Sequence, residues 1–204
     1  MRYLSWIALV GLIAGCSSNP DRIVPPTIDA AQAGKDAITE YDKNGNGQLD
    51  GAELDSVPGI KAALAKVDKD SDKQVSAEEI TQRINVWKED QTGIMSLSCR
   101  VILDGKPLEG ADIVFVPEKF LGPHLKLAKG KTGPGGTAMC TINDPDLAAK
   151  RLQGAQCGFY RVEISGGPKS IPAKYNTSTT IGEEVAPDAD WVKSGSLVFE
   201  LKGK

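Results

Sequence analysis

The sequence predicts an α+β protein built as separate domains, with a helical domain at residues 27–91 and an antiparallel β-sandwich at residues 95–204. Hydrophobic residues recur at helical spacing around two acidic loops in the first region, and they alternate with a period of two after Gly93. The 204-residue chain has 22 Gly and 12 Pro but only 5% aromatic residues, which indicates small modules with many turns.

The overall composition excludes several classes of protein. With 40% hydrophobic residues and a formal net charge of -3, the chain is neither extensively disordered nor a strongly basic nucleic-acid binder. His124 is the single histidine, and its neighbours Gly122 and Pro123 indicate a loop. Metal sites built on several imidazoles are therefore excluded, and a catalytic triad would depend on His124, which no nearby residue would tune.

The N-terminal residues 1–15 have the features of a secretory signal. Arg2 precedes an apolar run over residues 4–14, which is about half the length of a membrane-spanning helix. The segment Leu12-Ile13-Ala14-Gly15-Cys16 resembles the bacterial lipobox, in which a small residue precedes the cysteine. The resemblance implies that cleavage leaves Cys16 as a diacylated N-terminus.

The lipobox resemblance implies a location as well as a modification. A lipidated Cys16 would attach the protein stably to the membrane of a bacterial cell envelope. In the lipoprotein family, a non-acidic residue such as Ser17 after the cysteine implies the outer membrane. Residues 16–26 would then be a flexible tether rich in Pro and Ser. The alternative is cleavage near Ala14 by ordinary signal peptidase, which would release a secreted protein.

The first acidic loop, residues 42–53, matches the pattern D-x-[DN]-x-[DN]-G-x5-E at every specified position. Such a loop surrounds a calcium ion with oxygen ligands. The predicted ligands are the side chains of Asp42, Asn44 and Asn46, the backbone carbonyl of Gln48, Asp50 through water, and Glu53 bidentately. Gly47 stands where the chain must turn sharply, and glycine accepts the positive φ of that turn without strain.

The second acidic loop, residues 68–79, repeats the ligand positions but not the glycine. Its predicted ligands are Asp68, Asp70 and Asp72, the backbone carbonyl of Gln74, Ser76 through water, and Glu79. Lys73 occupies the glycine position, so a left-handed residue costs roughly 1 kcal/mol here. This loop has four carboxylates against three in the first, and we expect both loops to bind Ca²⁺. Solvated acidic turns without an ion are the alternative.

Both loops resemble EF-hands, over about residues 27–91. The resemblance implies that the loops pack face to face, with Leu49 and Val75 in a short antiparallel contact. The loops start 26 residues apart (68 minus 42), which leaves room for a short helix from about Ala52, broken near Pro58. Dockerin modules have similar loops, but they lack the entering helix that the periodicity before Asp42 predicts.

The C-terminal region has the alternation of β-strands. Strands are predicted at 96–103, 111–117, 137–142, 159–165 and 196–202, and turns rich in Gly and Pro separate them. Residues 130–136 are predicted as one of these turns. Short strands of this kind favour an Ig-like β-sandwich.

Four segments of this region resemble the carboxypeptidase regulatory-like (transthyretin-like) domain of many bacterial lipoproteins. They are residues 101–111, 130–132, 158–164 and 171–176. The sequence departs from the family at the turn 133–136 and in an apparent insertion over residues 143–156. The resemblance implies an antiparallel β-sandwich without catalytic activity.

Three cysteines remain if Cys16 is lipidated, which is an odd number in an oxidising compartment. One disulfide is therefore expected, with one thiol left over. A bridge between Cys140 and Cys157 would close a short loop around the insertion and is favoured, while pairings with Cys99 remain open.

These features together predict a calcium-binding, lipid-anchored envelope protein that acts as a binding or structural module and is not an enzyme. The partner would be an envelope protein or glycan. Alternatives are a cell-wall glycan-binding module and an accessory subunit of an envelope hydrolase. A hydrolase using Asp188 and Asp190 is a weaker interpretation, because no neighbour in that polar stretch would shift a pKa.

Overall fold

The computed structural model describes residues 23–203. The predicted signal segment 1–15, Cys16 and the tether up to residue 22 lie outside the described residues. The helices are α1 (Ala30–Tyr41), α2 (Gly51–Ser56), α3 (Pro58–Ala62), α4 (Leu64–Val67), α5 (Ala77–Asp90), α6 (Pro145–Ala149) and α7 (Asp190–Ser194). Within this part of the chain, no helix has the length and hydrophobicity needed to span a membrane.

Strands form a two-stranded ribbon and a large curled sheet. The ribbon contains β1 (Gln48–Leu49) and β2 (Val75–Ser76). The sheet contains β3 (Leu97–Leu103), β4 (Lys106–Pro107), β5 (Ala111–Pro117), β6 (Ala128–Lys131), β7 (Thr137–Ile142), β8 (Gly158–Gly166), β9 (Gly182–Val185) and β10 (Leu197–Leu201). Its strand order is β10-β3-β7-β6-β5-β8-β9, with β4 paired to β3.

The helical segments follow the sequence prediction closely. Asp29 caps α1 by accepting a hydrogen bond from the backbone N–H of Gln32 at 3.0 Å. The chain leaves α2 at Val57, and α3 begins with Pro58, whose fixed φ suits the first position of a helix. The two main helices, α1 and α5, approach closely at Gly34, where a Cβ atom would lie 2.3 Å from the carbonyl oxygen of Ala77.

The five predicted strands are all present, but the sheet differs from the expected antiparallel sandwich in two respects. First, β10 pairs with β3 in parallel, whereas the other pairs in this sheet are antiparallel. Secondly, β7 pairs with β3 through Thr137–Cys140 and with β6 through Thr141 and Ile142, so the two halves form one continuous sheet. The buried residues of the helical part and of this sheet belong to one contiguous core.

Three strands lack the alternation by which the others were predicted. In β6 and β9 the sequences are Ala-Lys-Gly-Lys and Gly-Glu-Glu-Val, which have too few β-branched or aromatic residues to indicate a strand. Residues 130–136 were expected to form a turn, but Gly130 and Lys131 belong to β6, so the expectation is wrong for these two residues. Strand β4 is a two-residue pairing next to the turn at Asp104 and Gly105.

Cys99, Cys140 and Cys157 are free thiols in the structure, so the expected bridge between Cys140 and Cys157 is absent. The Sγ atom of Cys140 lies 3.7 Å from that of Cys99, and the thiol of Cys157 points to the carbonyl oxygen of Thr92 at 3.9 Å. The register of β3 and β7 places the side chains of Cys99 and Cys140 diagonally on one face of neighbouring strands.

Candidate metal centre

Three carboxylates of the second loop converge on one point. One oxygen each from Asp68, Asp70 and Glu79 lies within 4.8 Å of the other two. Oxygen ligands lie 2.3–2.6 Å from a calcium ion, so two ligands of the same ion are at most about 5 Å apart. The three side chains are therefore spaced as ligands of a single hard cation.

Glu79 is held in place from both ends of the loop. It is the third residue of α5 and forms a capping box with Ser76, whose backbone N–H and hydroxyl both donate to Glu79 Oε2 at 2.8 Å. At the other end, the backbone N–H of Lys69 donates to Oε1 at 2.9 Å. The loop is thus closed around the Glu79 carboxylate.

Asp68 organises the start of the same loop. Its two carboxylate oxygens accept hydrogen bonds from the backbone N–H groups of Ser71 at 2.6 Å and Lys73 at 2.9 Å. Lys73 has a φ of 66°, so the predicted left-handed conformation at this position is confirmed. The chain therefore turns at Lys73 as the first loop does at Gly47. The lysine side chain makes this left-handed conformation less favourable than it is for glycine.

The first loop repeats this arrangement around Glu53. Its Oε1 accepts from the backbone N–H groups of Lys43 at 2.7 Å and Asn44 at 3.0 Å, and its Oε2 accepts from that of Asp50 at 3.2 Å. These hydrogen bonds, with that of Asn44 contributing most, lower the pKa of Glu53. Glu53 therefore remains an ionised carboxylate that faces the loop.

Asp42 corresponds to Asp68 in its contacts. It accepts from the backbone N–H groups of Gly45 at 2.6 Å and Gly47 at 2.8 Å. Gly47 has a φ of 84°, as its position in the motif requires. The side chains of Asn44 and Asn46 each accept from the backbone two residues later, at 2.9 Å in both cases. The side chains of Asp42, Asn44 and Asn46 thus all accept hydrogen bonds from the backbone of their own loop.

The remaining predicted ligands lie in the loops with their own local partners. Asp50 accepts a hydrogen bond from the Asn46 amide at 2.9 Å, and Asp72 accepts from the Gln74 side chain at 3.2 Å. The side-chain oxygen of Gln48 is buried without a hydrogen-bond partner among the described residues. The motif assigns Gln48 and Gln74 as ligands through their backbone carbonyls, so their side chains are not required at an ion.

The two loops are joined by the ribbon of β1 and β2. Leu49 pairs with Val75 in antiparallel register, and both side chains are fully buried. The short antiparallel contact expected from the EF-hand resemblance is therefore present at the expected residues. The ribbon places the two loops side by side.

Sequence reasoning missed a buried ionic cluster that connects α5 to the sheet. The Arg83 guanidinium donates to Glu184 at 2.5 and 2.9 Å and to Asp188 at 2.6 and 2.8 Å. The indole of Trp87 also donates to Glu184, at 2.8 Å. The sequence does not indicate this cluster, because Arg83 and Glu184 are 101 positions apart and only the fold brings them together.

This cluster sets the protonation of its members. Burial alone would lower the pKa of Arg83, but its hydrogen bonds to Asp188 and Glu184 outweigh burial and raise it. The same hydrogen bond lowers the pKa of Asp188. Burial raises the pKa of Glu184, while the pairing with Arg83 acts against that shift. Arg83 is therefore charged, and its guanidinium is paired with both carboxylates.

A second contact between the helices and the sheet centres on Glu118, which follows β5 and is 1% exposed. Its carboxylate accepts hydrogen bonds from the backbone N–H of Gly59 at 3.3 Å and from the hydroxyl of Tyr41 at 3.4 Å. Burial raises the pKa of Glu118 to about 7 despite these contacts. Burial and the charge of Glu118 also raise the pKa of Tyr41.

The residues considered for hydrolysis do not form a catalytic pair in this arrangement. Asp188 is bound to Arg83, and Asp190 has a side chain 83% exposed beside Lys193. A cavity of about 210 Å³ between α3, α4 and β9 is lined in part by Glu183 and Glu184. Glu183 and Glu184 are successive residues of β9, so their side chains leave the strand on opposite faces.

Comparison with known proteins adds no relative: no protein-family model matches the sequence, and no curated protein is significantly similar to it.

Proposed function

We propose that the protein binds two calcium ions, one in each of the loops 42–53 and 68–79. The observation that carries the proposal is the convergence of Asp68, Asp70 and Glu79, with oxygens within 4.8 Å of one another. Carboxylate oxygens are the ligands that calcium prefers, and this spacing suits its coordination distance. The first loop supports a second site because its carboxylates make the same backbone hydrogen bonds at the same loop positions.

The donor set favours calcium over other common metals. The loops offer carboxylate, amide and carbonyl oxygens, and neither contains a Cys or His that a zinc ion would prefer. Magnesium demands a stricter octahedral geometry at shorter distances, whereas a flexible loop with up to seven oxygens suits calcium. Within the loops, Glu53 and Glu79 close the coordination shell from the first turns of α2 and α5.

The proposed role of the ions is structural, within a protein attached to the bacterial cell envelope through lipidated Cys16. The lipobox resemblance supports the membrane anchor. The resemblance of residues 95–204 to carboxypeptidase regulatory-like domains supports a sheet that serves as a binding or structural module and has no catalytic role. In this proposal the calcium ions fix the helices that pack on the sheet. An envelope protein or a glycan is the proposed partner.

The proposal is tested by thermal unfolding of the full chain with calcium, with magnesium and with a chelator. Binding to the folded state alone raises the melting temperature, so calcium should raise it and magnesium should do so less. Glu53→Ala should reduce the calcium effect because it removes two ligand oxygens. An identical melting temperature in millimolar calcium and in chelator would refute the proposal, since sites outside cells bind with affinities of about 10⁻⁴ to 10⁻³ M.

A further inference from the structure

A row of aromatic rings fills the space between the two main helices. Trp87 of α5 packs edge-on against Phe159 of β8, with ring centroids 4.6 Å apart. Phe159 in turn contacts Phe120 at 6.2 Å, and Phe120 contacts Tyr41 of α1 at 6.4 Å. Phe159 and Phe120 belong to the sheet region, so the apolar faces of the helices are covered by the chain's own sheet.

The backbones of α3 and of the sheet are in direct contact at two glycines. A Cβ atom on Gly59 would lie 2.9 Å from the backbone nitrogen of Tyr160, and one on Gly182 would lie 1.9 Å from the carbonyl oxygen of Pro58. Helix α3 therefore lies directly on β8 and β9. Both glycines are needed because the two backbones meet without intervening side chains.

The two main helices that flank the proposed calcium loops, α1 and α5, are each fixed to the sheet region close to a predicted ligand. Tyr41, which hydrogen-bonds Glu118, immediately precedes the first ligand Asp42. Arg83, which binds Glu184 and Asp188, lies four residues after the last ligand Glu79 on α5. Four residues are about one helical turn, so Arg83 and Glu79 move together as parts of one rigid segment.

We propose that calcium binding and the docking of the helices on the sheet are energetically coupled, so that the sheet is the built-in partner of the calcium-binding helices. This inference rests on the proposed calcium function and specifies its regulation. Calcium fixes Asp42 and Glu79, which fixes the positions of Tyr41 and Arg83 against the sheet. Because coupling of two equilibria is reciprocal, a weakened interface must weaken calcium binding.

The coupling predicts what calcium does to the molecule. In calcium sensors the ion opens the helix pair and exposes an apolar groove for a target. Here the corresponding apolar surface is already filled by Phe159 and Phe120, which are 0% and 4% exposed. Calcium therefore tightens an internal interface and exposes no new apolar surface.

The test is calorimetric titration of calcium into the full chain and into variants of the interface. Phe159→Leu removes the ring that Trp87 contacts, and Asp188→Asn removes one partner of Arg83; neither residue is a calcium ligand. Each should weaken calcium binding about fivefold, the lower range of typical coupling between sites. Asp188 is partly exposed, so its variant tests the proposal even if Phe159→Leu fails to fold.

Matched substitutions elsewhere in the sheet provide the controls. Phe199→Leu makes the same change at a ring that packs on Phe115, and Asp112→Asn makes the same charge change at an ion pair with Lys131. Both should bind calcium as the wild type does. Equal affinity in the wild type and both interface variants would overturn the coupling while leaving calcium binding intact. Absence of calcium binding in the wild type would overturn the proposed function, and the coupling with it.

Hydrogen exchange gives an independent readout on the wild-type chain. Coupling predicts that calcium slows amide exchange in β8 and β9, which contact the helices, more than in β10 at the opposite edge of the sheet. Protection confined to the loops and helices would contradict the coupling. Increased binding of an apolar dye on adding calcium would contradict it as well, because that result requires the interface to open.

Discussion

Leu49 lies directly opposite Val75 in the ribbon that joins the two acidic loops, and neither side chain has any exposed surface. Each residue lies between two predicted ligands of its own loop, Leu49 between Gln48 and Asp50 and Val75 between Gln74 and Ser76. If the loops bind calcium as proposed, ordering of one loop by an ion should also order the neighbouring strand of the other. The pair of loops, rather than either loop alone, is then the unit expected to respond to calcium.

Replacing Lys73 by glycine should tighten the second site. Lys73 has a φ of 66°. This conformation is less favourable by roughly 1 kcal/mol for a residue with a Cβ atom than for glycine. The substitution also removes a positive charge near the ion. We expect calcium affinity to rise about fivefold or more, as 1 kcal/mol corresponds to about that factor. Calorimetric titration measures it.

Lys73→Met separates the two contributions. It removes the charge but keeps the strained backbone, so it should improve affinity less than Lys73→Gly. Equal affinity of the two variants would assign the whole effect to charge. Affinity of Lys73→Gly no better than that of the wild type would show that the account of this position is wrong.

Glu118→Gln should remove a pH dependence of folding stability. The pKa of Glu118 is raised from 4.5 to about 7, mainly by burial. Between these two pKa values the carboxyl group of Glu118 ionises in the unfolded state but stays protonated in the folded state, which lowers the stability of the fold. This loss of stability is absent below pH 4.5 and grows as the pH rises to about 7. Near pH 8 the glutamine variant should be more stable than the wild type by up to about 3 kcal/mol.

Urea unfolding of both proteins at pH 4.5 and pH 8 in saturating calcium measures this difference. Glu183, whose pKa burial also raises to about 7, is present in both proteins, so its contribution cancels. A difference between wild type and variant that does not change with pH would contradict the assignment of the effect to Glu118.

The local features of this protein could be predicted from its sequence, whereas the contacts between its parts could not. Periodicity located α1, and the loop motif fixed the positive φ at Gly47 and Lys73. The five strands with alternating residues were equally readable. Their apolar positions repeat every second residue, which is a purely local signal.

The missed features are those set by tertiary contacts. Nothing in the local sequence marks Arg83 as buried, because an arginine in an amphipathic helix normally faces solvent. Strand β9 contains Glu183 and Glu184, residues that disfavour a strand until Arg83 and the neighbouring β8 accommodate them. The expected Cys140–Cys157 bridge is absent. The register of β3 and β7, which brings Cys140 within 3.7 Å of Cys99, is a long-range property that the local sequence does not show.

Arg83→Met should destabilise the folded chain by about 3–5 kcal/mol, since it leaves the Glu184 carboxylate buried without its cation. Lys131→Met breaks an exposed ion pair with Asp112 and should cost at most about 1 kcal/mol. Urea unfolding at neutral pH measures both. A similar small effect of the two substitutions would show that the cluster at Arg83 contributes little to the packing of α5 on the sheet.

Cys16→Ser should abolish membrane attachment without changing calcium binding. If Cys16 is lipidated, the wild-type chain should incorporate labelled palmitate in a bacterial host and partition into detergent, because two or more acyl chains give stable anchoring. The serine variant should do neither. Mass spectrometry of the mature N-terminus is decisive: an unmodified amine with no acyl mass on Cys16 would exclude the anchor.

The central claim, that both loops bind calcium through their closing glutamates, is tested most directly by calorimetric calcium titration of four proteins. The wild type should bind two ions per chain, and Glu53→Gln and Glu79→Gln should each weaken one site at least about tenfold. Glu78→Gln is the matched control, because Glu78 precedes Glu79 on α5 but is exposed and paired with Gln82. Two sites retained unchanged in Glu53→Gln and Glu79→Gln, or no binding by the wild type, would contradict the account.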